Sequence, residues 1–165
     1  LLLTPPHRAH PRVLYDLLVT QLQNETSSIP VQRLLFPEVV ELNAGDRHFV
    51  LESKDWLERM GLLIEPDDAG VQITGMPAEG DSTPALLIEA VLEDGGNDLP
   101  GISRAERVAA QMAQSMAIRA GKVLKEEEMT DLLDRLFGCS APDRDPFGRR
   151  VIVNFDANDI EQRFQ

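Results

Sequence analysis

The sequence predicts an α+β fold in two lobes, one inserted into the other. Three observations carry this. Strand-type and helix-type periodicities fall in segregated stretches. With 165 residues, 42% hydrophobic and 27% charged, the chain has globular composition and enough length to bury a core. Its formal net charge of −12 is unevenly spread: residues 44–100 hold 3 basic and 13 acidic side chains, whereas residues 1–43 and 101–165 each sum to −1. A shift this sharp, between loop-like points near Asn43 and Gly101, is expected of an inserted lobe. A well-solvated acidic surface would give the same numbers.

The elements follow in order. Leu1-Leu2-Leu3 reads as a buried strand end. Residues 6–23 read as helix, because Leu14, Leu17, Leu18 and Leu22 recur at helical spacing. Pro11 lies inside it and removes a backbone donor, so an irregular first turn is expected. Residues 24–30 form a polar loop, and residues 31–42 contain a strand at Val39, Val40 and Leu42. Asn43 and Asp46 can cap one helix that runs to Met60 and stops at Gly61, burying Phe49, Val50, Leu57 and Met60.

Residues 62–64 and 71–73 flank Pro66-Asp67-Asp68-Ala69-Gly70 as a β-hairpin. Thr83-Pro84 opens a helix to about Asp94, and residues 95–101 are a breaker-rich linker. Ser103-Arg104-Ala105-Glu106 matches a capping box. The helix it opens carries Ala105, Val108, Ala109, Met112 and Met116 on one face and is expected to end at Gly121. Another starts near Lys125, places Glu126, Glu127 and Glu128 in its positive first turn, and ends at Gly138. A loop over 139–149 leads to an alternating strand at Val151, Val153 and Phe155, and a helix over 158–164 closes the chain.

Composition excludes several function classes. No apolar run approaches the ~18 residues that span a bilayer. A start on three leucines, with neither a charged n-region nor an initiator Met, is expected of a piece cut from a longer protein. The single cysteine, Cys139, excludes a disulfide scaffold and a multi-cysteine zinc site. The acidic balance argues against wholesale binding to a phosphate backbone.

Candidate chemistry is sparse. His7, His10 and His48 are the only imidazoles; His7 and His10 could share a helical face, with Asp16 further along. Two solvent-exposed histidines near a terminus are the plainer reading. Phosphate loops, serine elbows and two-metal carboxylate clusters are absent. The segment Gln32-Arg33-Leu34-Leu35-Phe36-Pro37 combines a polar hook, large apolar residues and a terminating proline. Such a peptide can fill an apolar pocket on a partner, with Gln32 at the rim and Leu35 and Phe36 inside. The same leucines could equally be core residues of a strand lead-in.

Four blocks together resemble the C-terminal domain of the DNA mismatch-repair protein MutL, over essentially the whole length. Residues 1–16 are similar to the family's strand-then-helix block DQHAxxExxxxE. Gln32, Leu35 and Pro37 fit its sliding-clamp-binding pattern QxxLxP. Residues 113–122, followed by Glu128-Met129 and Leu132-Leu133, are similar to its ACRxAxKAGxxL and EM..LL stretch. Asp145-Pro146-Phe147-Gly148-Arg149-Arg150 stands at the position of CPHGRP. Each motif is weak alone; their order and spacing make the match specific.

The resemblance implies a dimerisation lobe with a mixed sheet and helices, from residues 1–43 and 101–165, and a smaller inserted α/β external lobe at 44–100. It implies a homodimer that docks the replication sliding clamp through Gln32, Leu35, Phe36 and Pro37. ATP and Mg would belong to a separate N-terminal domain, with no cofactor in this region. The mismatch-recognition protein and downstream repair factors would be partners of the full-length protein. The resemblance also implies a cytoplasmic, nucleoid-associated bacterial protein, off the membrane, that meets DNA indirectly.

Many members carry a metal-dependent nicking endonuclease in this domain. Position by position, the motif's Asp, Gln and first Glu are Pro5, Pro6 and Pro11 here. His7 and the last acidic position, Asp16, are kept. The cysteine of the third motif is Gln114, and the Cys and His of the fourth are Asp145 and Phe147. Proline and phenylalanine supply no ligand atom, so hard oxygen and soft zinc-type ligands are both lost. No catalytic residue and no metal ion is therefore expected, and His7, His10, Asp16 and Asp145 are read as vestiges. The alternative is a divergent nuclease that uses those same four residues.

Overall fold

The computed structural model describes residues 1–24, 29–93 and 101–162. Parts of the expected 24–30 loop, nearly all of the 95–101 linker and the end of the 158–164 helix lie outside the described residues. Helices and antiparallel sheets make an α+β fold in the order β1 (Leu2–Leu3), α1 (Pro6–Gln23), β2 (Val31–Glu41), α2 (Ala44–Glu52), α3 (Lys54–Arg59), β3 (Leu63–Pro66), β4 (Gly70–Pro77), α4 (Pro84–Leu92), α5 (Arg104–Met116), α6 (Glu126–Phe137), β5 (Val153–Asn154) and α7 (Ala157–Glu161). Every described strand pair is antiparallel, so the expected mixed sheet is replaced by two antiparallel ones, β1-β5 and β2-β4-β3.

The chain forms two compact units, residues 14–117 and residues 1–13 with 118–165. These bounds differ from the charge-based points at Asn43 and Gly101: β2, paired with β4 on either side of an interruption between Arg33 and Glu38, lies within the 14–117 unit. Redrawn at Leu14 and Ala117, the charge division becomes complete. Residues 14–117 hold 6 basic and 18 acidic side chains, net −12; the remaining residues hold 10 of each, net zero.

In the 14–117 unit, β4 is the central strand. Val71 and Ile73 are fully buried on one face, at the period of two that a half-buried strand requires. Two glycines let its neighbours approach. A Cβ on Gly70 would collide with the Val40 carbonyl oxygen, and one on Gly75 would meet Leu63 and Val31 at 2.9 and 3.0 Å. The core behind the sheet gathers Leu14 and Leu18 from α1, Val50 and Leu57 from α2 and α3, Leu87 from α4, and Met112 from α5. In the other unit, Ala9 and Val13 pack with Leu132, Leu136 and Val151.

Local signals behave as their chemistry dictates. The Asp46 amide donates to Asn43 Oδ1 at 2.9 Å, the expected cap. Ser103 and Glu106 form the capping box: the Glu106 amide donates to Ser103 Oγ at 3.2 Å, and the Ser103 amide to Glu106 Oε2 at 2.7 Å. Thr83 caps α4, with Pro84 in its first turn. Pro11 sits inside α1, which runs unbroken from Pro6 to Gln23.

Four expectations are corrected. The single helix expected over 43–60 is two, because the chain turns at the buried Ser53. The helix expected to reach Gly121 ends at Met116; Ala117 is extended, and the Ile118 amide donates to His10 Nδ1 at 3.0 Å instead of continuing the helical ladder. Leu1, Leu2 and Leu3 are exposed, since β1 pairs only with the short β5. Val151 is buried but precedes β5, its amide bonded to the Asp143 carbonyl at 2.9 Å.

The capping box and the α5 core face set two expected costs, both read by urea unfolding. Ser103→Ala should lower stability by about 1 kcal/mol. Met112→Ala should lower it by about 2–5 kcal/mol through cavity formation.

Candidate docking segment and the former metal positions

Among the described residues β2 is an edge strand, hydrogen-bonded on one side only, to β4. Its pairing is interrupted. Arg33 stands opposite Gly75, and the next paired residue, Glu38, stands opposite Ile73. Residues 34–37 are thus set against Thr74 alone, so the surplus backbone must bulge from the sheet. Pro37 has no amide hydrogen to offer a ladder and is tolerated on an edge strand at such an irregularity.

The bulge sorts the side chains. Leu34 packs against the core of its unit. Leu35 and Phe36 are 92% and 87% exposed, and Gln32 and Pro37 are also exposed. The structure therefore brings all four clamp-motif residues together on one exposed edge. Of the two sequence readings, the buried strand lead-in holds for Leu34 and fails for Leu35 and Phe36.

The positions read in the sequence as metal vestiges make other contacts. The Pro5 carbonyl accepts the Arg8 and Ala9 amides at 2.9 and 3.1 Å, opening α1. His7 is half-buried. His10 is buried rather than solvent-exposed, and its Nδ1 accepts the Ile118 amide. Asp16 and the exposed Gln114 belong to the 14–117 unit, and the Asp16 carbonyl accepts the Thr20 hydroxyl at 2.7 Å. Phe147 is partly exposed, with the Arg149 guanidinium 5.3 Å from its ring centroid. His48 pairs on the surface with Glu52 at 3.3 Å. Among the described residues, no three His, Cys, Asp or Glu side chains converge.

Asp145 is buried and organises its loop. Its Oδ1 accepts the Phe147 amide at 3.0 Å and the Arg149 amide at 2.9 Å, and Oδ2 accepts Arg149 Nε. Arg12, which the sequence reading passed over, holds the same loop from α1. Its Nε donates to the Arg144 carbonyl at 2.7 Å, and its Nη2 to the Asp145 carbonyl at 3.1 Å. A clue was available: Arg12 lies between Ala9 and Val13 on the buried stripe of the helix.

These bonds give a graded expectation. Asp145→Ala removes the acceptor for two amides and should cost about 1–3 kcal/mol. Asp145→Asn keeps Oδ1 and should cost less. Thermal unfolding of the two variants checks the order.

The chain is similar to known proteins over most or all of its length. The family model described as the MutL C-terminal dimerisation domain matches residues 1–124. A DNA mismatch repair protein MutL of Christiangramia forsetii is 32% identical over 168 residues, covering 99% of this chain and 27% of that protein. MutL of Flavobacterium johnsoniae is 32% identical, covering 96% of this chain and 25% of that protein. MutL of Bacteroides fragilis is also 32% identical, covering 100% of this chain and 27% of that protein. The chain spans about a quarter of the length of these curated relatives. With a family model matching residues 1–124 and relatives 32% identical over nearly its whole length, the chain belongs to the MutL C-terminal dimerisation domain family.

Proposed function

We propose that this chain is the dimerising and partner-docking region of a bacterial mismatch-repair protein, that it binds the replication sliding clamp through Gln32, Leu35, Phe36 and Pro37, and that it performs no phosphodiester chemistry. The observation that carries the reading is the exposure of Leu35 and Phe36 on the β2 bulge. Two large apolar side chains held in water are a standing reserve of binding energy, about 1.5–3 kcal/mol each on full burial. Both ends of the bulge are pinned by ladder pairs to β4. A free peptide would lose about 1–2 kcal/mol per residue on being ordered, and the pinned segment loses less. Gln32, two residues before the bulge, supplies the polar group for the pocket rim.

The absence of nuclease chemistry is supported by residue chemistry. Pro5, Pro6 and Pro11 carry no side-chain ligand atom, and Phe147 carries none. The Asp145 carboxylate is engaged by its own loop, and His10 Nδ1 by a backbone amide. ATP and Mg, the mismatch-recognition protein and the downstream repair factors belong in this reading to the rest of a full-length protein. DNA is met indirectly, because the 14–117 unit carries net −12 and repels a phosphate backbone. Basic residues outside that unit, Arg149 and Arg150 among them, are the ones placed to meet it. Among the described residues no helix is long and apolar enough to cross a membrane, and the proposed setting is the bacterial cytoplasm, with the nucleoid.

Two experiments test the proposal. Gln32→Ala with Leu35→Ala should weaken binding to the immobilised clamp by at least about tenfold, since one buried leucine alone is worth more than 1.4 kcal/mol. Unchanged clamp affinity would refute the docking segment. The full-length protein, incubated with supercoiled plasmid, Mn²⁺ and clamp, should leave the plasmid intact. Nicking that disappears in a His7→Ala, Asp16→Ala variant would instead establish the divergent-nuclease alternative.

A further inference from the structure

Of residues 32–39 on β2, Leu34 alone is not exposed; it packs against the core of the 14–117 unit. The backbone around it is lightly held. Arg33 and Glu38 make the flanking ladder pairs, and none of residues 34–37 has a ladder partner on β4. The exposures also break strand alternation. In a regular strand that turned Leu34 inward, Phe36 would point inward too. Phe36 is instead 87% exposed, so the backbone leaves the strand path directly after Leu34. Leu34 is thus the last side chain to grip the unit before the segment lifts off, and Glu38 marks its return to the ladder.

We propose that Leu34 is the positioning residue of the docking segment, its side chain fixing the backbone from which Leu35 and Phe36 project. The inference rests on the docking reading above and goes beyond the four residues assigned there. Two ladder pairs alone would leave residues 34–37 free to hinge. Leu35 and Phe36 would then splay apart or fold back over the sheet in many chains. A partner's pocket accepts one arrangement, and apparent affinity falls with the fraction of chains that hold it.

A side chain inserted among close-packed neighbours removes most of that freedom, because such neighbours sit in defined rotamers. The core that receives Leu34 is of this kind. α4 packs on β2, and its Leu87, Ile88 and Val91 are buried, as is Ile73 opposite Glu38. Two adjacent leucines therefore have opposite duties: Leu34 grips its own chain, and Leu35 is presented to the partner.

Leu34→Ala in the 165-residue chain tests this by two measurements. Nitrogen-15 relaxation should give backbone order parameters at Leu35 and Phe36 above about 0.6 in the unaltered chain and below it in the variant. Binding to the immobilised clamp should weaken about tenfold, roughly the cost of ordering one further backbone residue. Leu34→Met conserves apolar volume and should match the unaltered chain in both. Leu22→Ala is the control: Leu22 is also partly buried against this core, but on α1, so its loss should lower stability and leave the bulge and the clamp affinity unchanged. Either measurement unchanged in Leu34→Ala, or an equal loss in Leu22→Ala, would overturn the proposal. An unaltered chain that fails to bind the clamp would overturn the docking reading instead. Order parameters below about 0.6 in Leu34→Ala would then still support Leu34 as the residue that holds the bulge, and unchanged ones would overturn it.

Discussion

The pairing of β2 with β4 is the constraint on which most else depends. β4 is hydrogen-bonded on both edges, and its buried face builds the larger core. Sliding its register by one residue would turn Val71 and Ile73 out of that core, so the register is fixed. β2 must match a fixed register with a surplus of residues between Arg33 and Glu38. The sheet resolves the mismatch by extruding the surplus, with Leu34 turned toward the core and Leu35 and Phe36 left in water. The stability of the sheet is thus what holds Leu35 and Phe36 in the open.

Charge and apolar exposure divide the chain in the same place. The acidic 14–117 unit exposes few large hydrophobics, and three of them, Leu35, Phe36 and Val39, lie on β2. The neutral unit exposes most of the rest. One is suited to stay soluble and to offer a single docking edge; the other is suited to close approach by a like surface. Asp145 is the hub of a loop that the buried Arg12 anchors from α1.

The elements legible in the sequence were those governed by neighbours in sequence. The capping box at Ser103 and Glu106, the Asn43 cap, the Thr83-Pro84 start and the hairpin around Pro66 and Gly70 needed only local chemistry. The failures were long-range. The strand read over 71–73 runs on through Gly75 to Pro77, where β2 pairs with it as far as Val31 opposite Pro77. The end of α5 at Met116 is accompanied by an imidazole 108 residues away in sequence taking the Ile118 amide. The docking motif was visible as a string of residues, but its exposure was not: a leucine-rich strand reads the same buried or bulged, and only the β4 register decides. Arg12 was missed because its partners are backbone carbonyls, which leave no mark in sequence.

We propose the β2 bulge as the surface by which this chain engages the replication clamp. Amide hydrogen exchange of the chain, measured with and without saturating clamp, tests it most directly. New protection is expected at the amides of residues 32–36, with the amides of α6 unchanged. Protection elsewhere with the bulge still exchanging freely, or no protection at all, would contradict it.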